Sequence, residues 1–229
     1  MTQEEKAGQI FEHMIPSLTV EEKELILRQT FCEVYRKGED IFAKGDQPKG
    51  LIFLMSGKVK VYVEGVAMRE QIVRLVKPSS LLGFRALFAE ECHSAWAKAI
   101  EASEVCYVSK DCIRDVMATN IELTMYILKT MASSLGFSDN RTTSLTQKHI
   151  RARLADGLLL MVNTYGLESD GLTIKAYLPR EDMAALSNMT TANAIRTLHV
   201  FQEEGIVKLE RRKIMLLDQP ALKKISELG

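Results

Sequence analysis

Between Asp111 and Thr142 apolar residues recur at alternating intervals of four and three: Ile121, Met125, Leu128, Ala132 and Leu135, continued by the polar Asp139 and Thr142. That interval keeps one stripe of a helix pointing in a constant direction, the heptad seam of a coiled coil. A helix over 119–147 would be about 40 Å long at about 1.5 Å per residue. A small domain cannot cover such a rod, so the seam predicts pairing with a second copy of the chain. Asp139 and Thr142 would fix its register at some cost in stability. A second amphipathic helix is marked by Ile150, Leu154, Leu158, Met161, Val162 and Tyr165, stopped by Gly166.

Upstream the period changes. From Val34 to Ser109 the chain reads as brief β-type runs, RKGEDIF, KGDQPKGLIFLMSGKVKVYVEG, QIVRLV and VCYVS. Strands about ten residues apart indicate an all-β sandwich or roll. Gly38, Gly45, Gly57 and Gly65 are expected to supply positive-φ turns between them. Before the strands, Thr19-Val-Glu-Glu22 has the Thr-x-x-Glu form of a capping box and predicts a short helix.

The stretch from Leu178 to Leu198, LPREDMAALSNMTTANAIRTL, holds two short apolar-patterned runs joined by Ser-Asn-Met. Pro179 pre-sets φ for a first helical turn, and Glu181 and Asp182 place negative charge at the positive end of the helix dipole. Ala184 and Asn188 have the spacing of the small residue and the turn residue of a helix-turn-helix, whose turn adopts a left-handed conformation that asparagine tolerates. In the second run Ala194, Leu198 and Phe201 share one face, suited to packing on the domain. Thr191, Ala192, Ile195, Arg196 and His199 share the other, with Thr190 and Asn193 at the start of the helix. Short side chains let a helix sit deep in the major groove while one arginine reaches a base edge. Any helical hairpin could carry this window, and the residues beyond Leu198 tip the balance. Gly205 ends the helix, and IVKL, ERRK and IMLLD read as a two-stranded wing with Arg211, Arg212 and Lys213 at its tip, placed to neutralise phosphates.

Composition and charge refine this picture modestly. A chain of 229 residues suits two linked units, and 46% hydrophobic with 26% charged residues is the balance of a folded chain. Net charge is zero, which argues against indiscriminate nucleic-acid binding; from Lys148 onward there are 12 Lys and Arg against 10 Asp and Glu, so the last third is the mildly basic part. No apolar run approaches a membrane span and the start MTQEEK does not read as a signal peptide, so a cytoplasmic protein without a membrane partner is expected. Cys32, Cys92, Cys106 and Cys112 form no CxxC pair and are expected as free buried thiols. The β segment contains a single histidine, His93, so the metal triad of a cupin-like enzyme cannot be assembled there, and no catalytic, metal or cofactor role is assigned.

Taken in order, the pieces RKGEDIF, KGDQPKGLIFLMSGKVKVYV, LLGFRALF and HSAWAKA resemble the β-roll of the Crp/Fnr family of bacterial transcription regulators. The stripe after Asp111 is similar to that family's dimerisation helix. The run LPREDMAALSNMTTANAIRTLHVFQEEGIVKLERRKIMLLD is similar to its winged helix-turn-helix. The resemblance implies an α+β chain: an N-terminal double-stranded β-helix of cyclic-nucleotide-binding type over 1–118, a dimerisation helix over 119–147 and a DNA-binding domain over 148–229. It further implies a homodimer on a two-fold-related DNA operator, RNA polymerase as a further partner, and a small-molecule effector of unknown identity held near Gly83, Phe84, His93, Ser94, Ser138 and Asp139.

This chain departs from the cyclic-AMP-binding members. There a glutamate follows the roll's glycine and an arginine precedes the serine; here Phe84 follows Gly83 and His93 precedes Ser94. Two polar contacts to a cyclic nucleotide are therefore missing, and an effector other than cyclic AMP is expected. Ala192 stands where the recognition helix often has glutamate, while Arg196 keeps the arginine. No cysteine cluster precedes Cys32, so the iron–sulfur oxygen sensor is not expected, and Cys92 beside His93 reads as a polar pair rather than a haem or metal site. The competing reading is a cyclic-nucleotide-responsive regulatory protein that does not touch DNA.

Overall fold

The computed structural model describes Gly8, Ile15 and residues 17–228; the segment MTQEEK, and with it the reading about a signal peptide, lies outside the described residues. The first helix, α1 (Val20–Arg28), starts as its sequence predicts. Thr19 Oγ1 accepts from the Glu22 amide at 3.2 Å, and the Glu22 carboxylate accepts from the Thr19 amide at 2.9 Å, closing the capping box.

Eight strands come next: β1 (Thr30–Tyr35), β2 (Asp40–Phe42), β3 (Leu51–Ser56), β4 (Val59–Glu64), β5 (Glu70–Val76), β6 (Ser80–Leu82), β7 (Trp96–Ala99) and β8 (Ser103–Val108), with the short helix α2 (Phe84–Ala89) between β6 and β7. They form two four-stranded sheets, in the orders β1-β8-β3-β6 and β2-β7-β4-β5. The run LIFLM of β3 is buried throughout because both faces of its sheet are covered. Ile52 and Leu54 point into the roll with Phe42, Val59, Leu82, Val105 and Tyr107. Leu51, Phe53 and Met55 point the other way, into a cluster with helical residues that include Ile26, Ile113, Leu123 and Ile127.

Gly38, Gly45 and Gly57 take positive φ as expected, whereas Gly65 does not. The turn between β4 and β5 is made instead by Ala67 and Met68, both at φ 57°. The cysteines require a larger correction. Cys32 and Cys106 are directly opposed in the β1–β8 register, point to one face of the sheet and are joined as a disulfide. Cys92 is exposed, and among the four only Cys112 is both free and buried. A separation of 74 residues hides in the sequence a neighbour relation that strand pairing creates.

After β8 come α3 (Lys110–Thr119) and α4 (Ile121–Gln147). Asn120 separates them; its side-chain oxygen accepts from the Leu123 amide at 2.9 Å and starts the new helix. With 27 residues α4 is about 40 Å long. The C-terminal elements are α5 (Ile150–Tyr165), α6 (Arg180–Leu186), α7 (Thr191–Glu203), the antiparallel pair β9 (Val207–Glu210) and β10 (Lys213–Leu216), and α8 (Gln219–Leu228). The chain divides into two compact units, 1–61 with 76–137 and 62–75 with 138–229. In the second, Asp156 of α5 binds Lys148 Nζ at 3.0 Å and accepts from the hydroxyls of Ser144 and Ser226, tying the ends of α4 and α8 to α5.

Candidate nucleic-acid interface and effector pocket

The helix pair α6–α7 is built around its turn. Asn188 takes φ 49°, the left-handed conformation the sequence predicts there, and Ala184, which packs under the turn, is buried. Pro179 stands just before α6, with Glu181 and Asp182 in the first turn. The carbonyls at the end of α6 are met by side chains from elsewhere in the same unit. Gln71 Nε2 donates to Ala185 at 2.7 Å, an Arg141 Nη to Leu186, and Arg153 Nη1 to Asn188 at 2.9 Å. No local sequence pattern marks these three residues.

Thr190 caps α7, its hydroxyl accepting from the Asn193 amide at 3.2 Å. Ala194, Leu198 and Phe201 are fully buried, as their spacing predicts. On the opposite face Ala192, Ile195, Arg196 and His199 are exposed, with Thr191 and Asn193 half-buried. Arg196 is held by no hydrogen bond or ion pair among the described residues. Its guanidinium is therefore free to act outward, with five donors in a planar fork.

Gly205 ends α7 with φ 72°, and the wing comes directly after it. Arg211 and Arg212 form the turn between β9 and β10, and Lys213 opens β10. All three are exposed. Arg211 takes φ 54° and its carbonyl accepts from Arg180 Nη2 at 2.9 Å, while Lys213 Nζ lies 5.8 Å from the centre of the Tyr177 ring.

The expected effector residues divide. Gly83 and His93 are brought together: a side chain added at Gly83 would meet His93 Cε1 at 2.9 Å, and the glycine itself has φ 66°. The His93 ring is buried and stacked on Phe42, with centroids 3.8 Å apart. Burial lowers its pKa; Asp46 opposes the shift and Arg85 adds to it. Phe84 is buried in the helix-side cluster with Leu51 and Ile113.

Arg85, which the sequence did not single out, holds Ser94 instead. Its Nη2 donates to Ser94 Oγ at 3.2 Å and its Nη1 pairs with Glu91 at 2.8 Å. Ser138 and Asp139 are exposed on α4 in the second unit, their carbonyls accepting from the Thr142 and Thr143 hydroxyls. Along α4 the stripe Ile121, Met125, Leu128, Ala132, Leu135, Asp139 and Thr142 is exposed, whereas Leu123 and Ile127 on the other side are buried. Among the described residues no group of three or more His, Cys, Asp or Glu side chains could hold a metal ion, and no helix is long and apolar enough to cross a membrane.

A β-roll joined through a long helix to a winged helix-turn-helix defines a class of regulator, and comparison with known proteins gives it content. Residues 32–120 match the cyclic nucleotide-binding domain and residues 152–225 the Crp-like helix-turn-helix domain. A cyclic AMP receptor protein of Thermus thermophilus is 27% identical over 224 residues, covering 94% of this chain and 98% of the relative. Electron transport regulator A of Shewanella oneidensis is 26% identical over 190 residues, covering 82% and 75%. The structure of FixK2 from Bradyrhizobium japonicum has the same fold, with a TM-score of 0.76 at 22% identity over 86% of this chain and 96% of that one. The chain belongs to the Crp/Fnr family of transcription regulators, which are not enzymes.

Proposed function

We propose that two copies of the chain pair along the α4 stripe and present their α7 helices to successive major grooves of a two-fold-related operator. On this reading 1–118 senses, 119–147 pairs and 148–229 binds DNA. The observation that carries it is the outer face of α7, where Ala192, Ile195 and His199 are exposed around an arginine with no partner among the described residues. An arginine so placed can bond guanine O6 and N7, a contact worth about 1–3 kcal/mol of discrimination. Arg211, Arg212 and Lys213 would hold phosphates and fix orientation.

Selecting bound fragments from a random duplex library tests this directly. A two-fold-related site is expected, and Arg196→Ala should relax preference at one base pair per half-site. Arg212→Ala should weaken all duplexes alike and flatten the salt dependence. Equal loss on selected and random DNA for Arg196→Ala would overturn the assignment.

The effector is proposed to be something other than cyclic AMP, despite the name of the Thermus thermophilus relative. His93 favours its neutral form, and its ring already occupies the space above Gly83. The nearby guanidinium of Arg85 is engaged by Glu91. Micromolar binding of cyclic AMP in titration calorimetry, coupled to tighter operator binding, would refute this.

A further inference from the structure

The disulfide between Cys32 and Cys106 lies outside the DNA face, the pairing stripe and the pocket around His93, and its place in the fold suggests a task. A protein that regulates transcription works beside DNA, in a compartment where thiols are kept reduced and where disulfides are usually transient or redox-sensing. The two sulfurs are brought together by the fold itself. Cys32 lies on β1, an edge strand, and Cys106 on its neighbour β8, directly opposite in register. Either redox form therefore keeps the partners within reach of each other.

Their exposure is unequal. Cys32 is half-buried, while Cys106 is about as buried as any residue in the chain, at 1% exposure. A reagent in solution meets Cys32 first, and Cys106 can only resolve what forms there. Cys112, the third cysteine in the same cluster, is free but buried, and burial raises its thiol pKa, which suppresses the reactive thiolate.

The pair also sits where a change would be felt. Both cysteines belong to the packed cluster that holds Leu123, Ile127, Tyr126 and Met131, the inner side of the first half of α4. The outer side of that half carries Ile121, Met125 and Leu128. Bridging the cysteines fixes β1 to β8 beneath this helix; opening the bridge leaves two thiols that need more room than one bond.

We propose that Cys32 and Cys106 form a reversible thiol–disulfide site that reports the redox state of low-molecular-weight disulfides to the packing beneath α4. In the oxidising direction the Cys32 thiolate attacks one sulfur of a small disulfide, forming a mixed disulfide and releasing one small thiolate. The Cys106 thiolate then attacks Cys32 Sγ, forms the internal bridge and releases the second. Two electrons pass from the cysteine pair to the small disulfide, and the two protons lost by the cysteines are taken up by the two thiolates released. Small thiols drive the same steps backwards.

The test uses the full-length wild-type protein equilibrated in glutathione buffers of graded thiol-to-disulfide ratio, then quenched with acid, unfolded in denaturant, alkylated and weighed intact. Two alkylation sites should disappear together in one two-electron transition, and peptide mapping should find Cys32 joined to Cys106. In the same samples, amide hydrogens over 30–35 and 121–137 should exchange roughly threefold faster or more when the pair is reduced. Cys92→Ser, which removes the exposed thiol, should leave both results unchanged. Alkylation of Cys32 and Cys106 at every ratio would overturn the site. Equal exchange over 121–137 in both forms would overturn its link to α4.

Discussion

Shortening two leucines on the outer face of α4 puts the pairing of two chains at stake without touching the core of either. Leu128 and Leu135 are 52% and 65% exposed, so half or more of each side chain makes no contact within its own chain. Fully burying a leucine contributes about 1.5–3 kcal/mol. Covering the exposed fractions of these two is then worth about 1 kcal/mol each in each protomer, or about 4 kcal/mol for a symmetric pair. Alanine keeps roughly a third of that area, so Leu128→Ala with Leu135→Ala should cost about 3 kcal/mol of association. That is roughly a hundredfold in the dimer dissociation constant.

Sedimentation equilibrium over a range of concentrations reads this directly. Because both positions are exposed within the protomer, the circular dichroism spectrum should match that of the wild type. A dissociation constant within about threefold of wild type, or a wild-type protein that sediments as a monomer throughout, would refute the assignment of the stripe. Operator affinity should fall with dimer population at low protein concentration and recover at high concentration, which separates loss of pairing from loss of the DNA face.

Two further predictions rest on single contacts. Burial lowers the pKa of His93 below its ordinary value near 6.5, so as pH falls through that value the unfolded chain takes up more protons than the folded one. Stability should be fully present above about 6.5 and decline below it, and the decline should be shallower in His93→Phe when melting temperatures are compared between about pH 8 and 5.5. Gly157→Ala would place a Cβ 2.6 Å from Ser187 Oγ, forcing α5 and the helix-turn-helix turn apart. A loss of about 1–3 kcal/mol in urea unfolding is expected, partly recovered by adding Ser187→Ala, and no loss at all would show that the turn yields freely.

Local repetition was the legible part of the sequence. The exposed stripe of α4, the capping box of α1, the buried face of α7 and the left-handed Asn188 each depend on a few neighbouring residues whose spacing fixes their direction. The chemistry around the pocket was less legible because it depends on which way a short helix turns. Phe84 follows Gly83 in sequence, yet α2 sends its ring to the helix-side cluster, while Arg85, one residue on, reaches Ser94. Residue order alone therefore does not tell which of these neighbouring side chains turns toward His93 and Ser94. The disulfide was hidden for a related reason, since Cys32 and Cys106 become neighbours only when β1 adds to the edge of β8.

The end of α6 shows the same limit in a form that bears on function. A helix leaves its last carbonyls without internal partners, and here the carbonyls of Ala185, Leu186 and Asn188 are met by Gln71 from β5, Arg141 from α4 and Arg153 from α5. Each donor is an ordinary polar residue in its own element, so no periodicity announces it. Arg141 and Arg153 each leave a buried Nε without a partner among the described residues. Because α7 begins at Thr191, the three donors hold the chain just ahead of the helix that carries Arg196. Three elements from separate parts of the sequence thus converge on the turn of the helix pair.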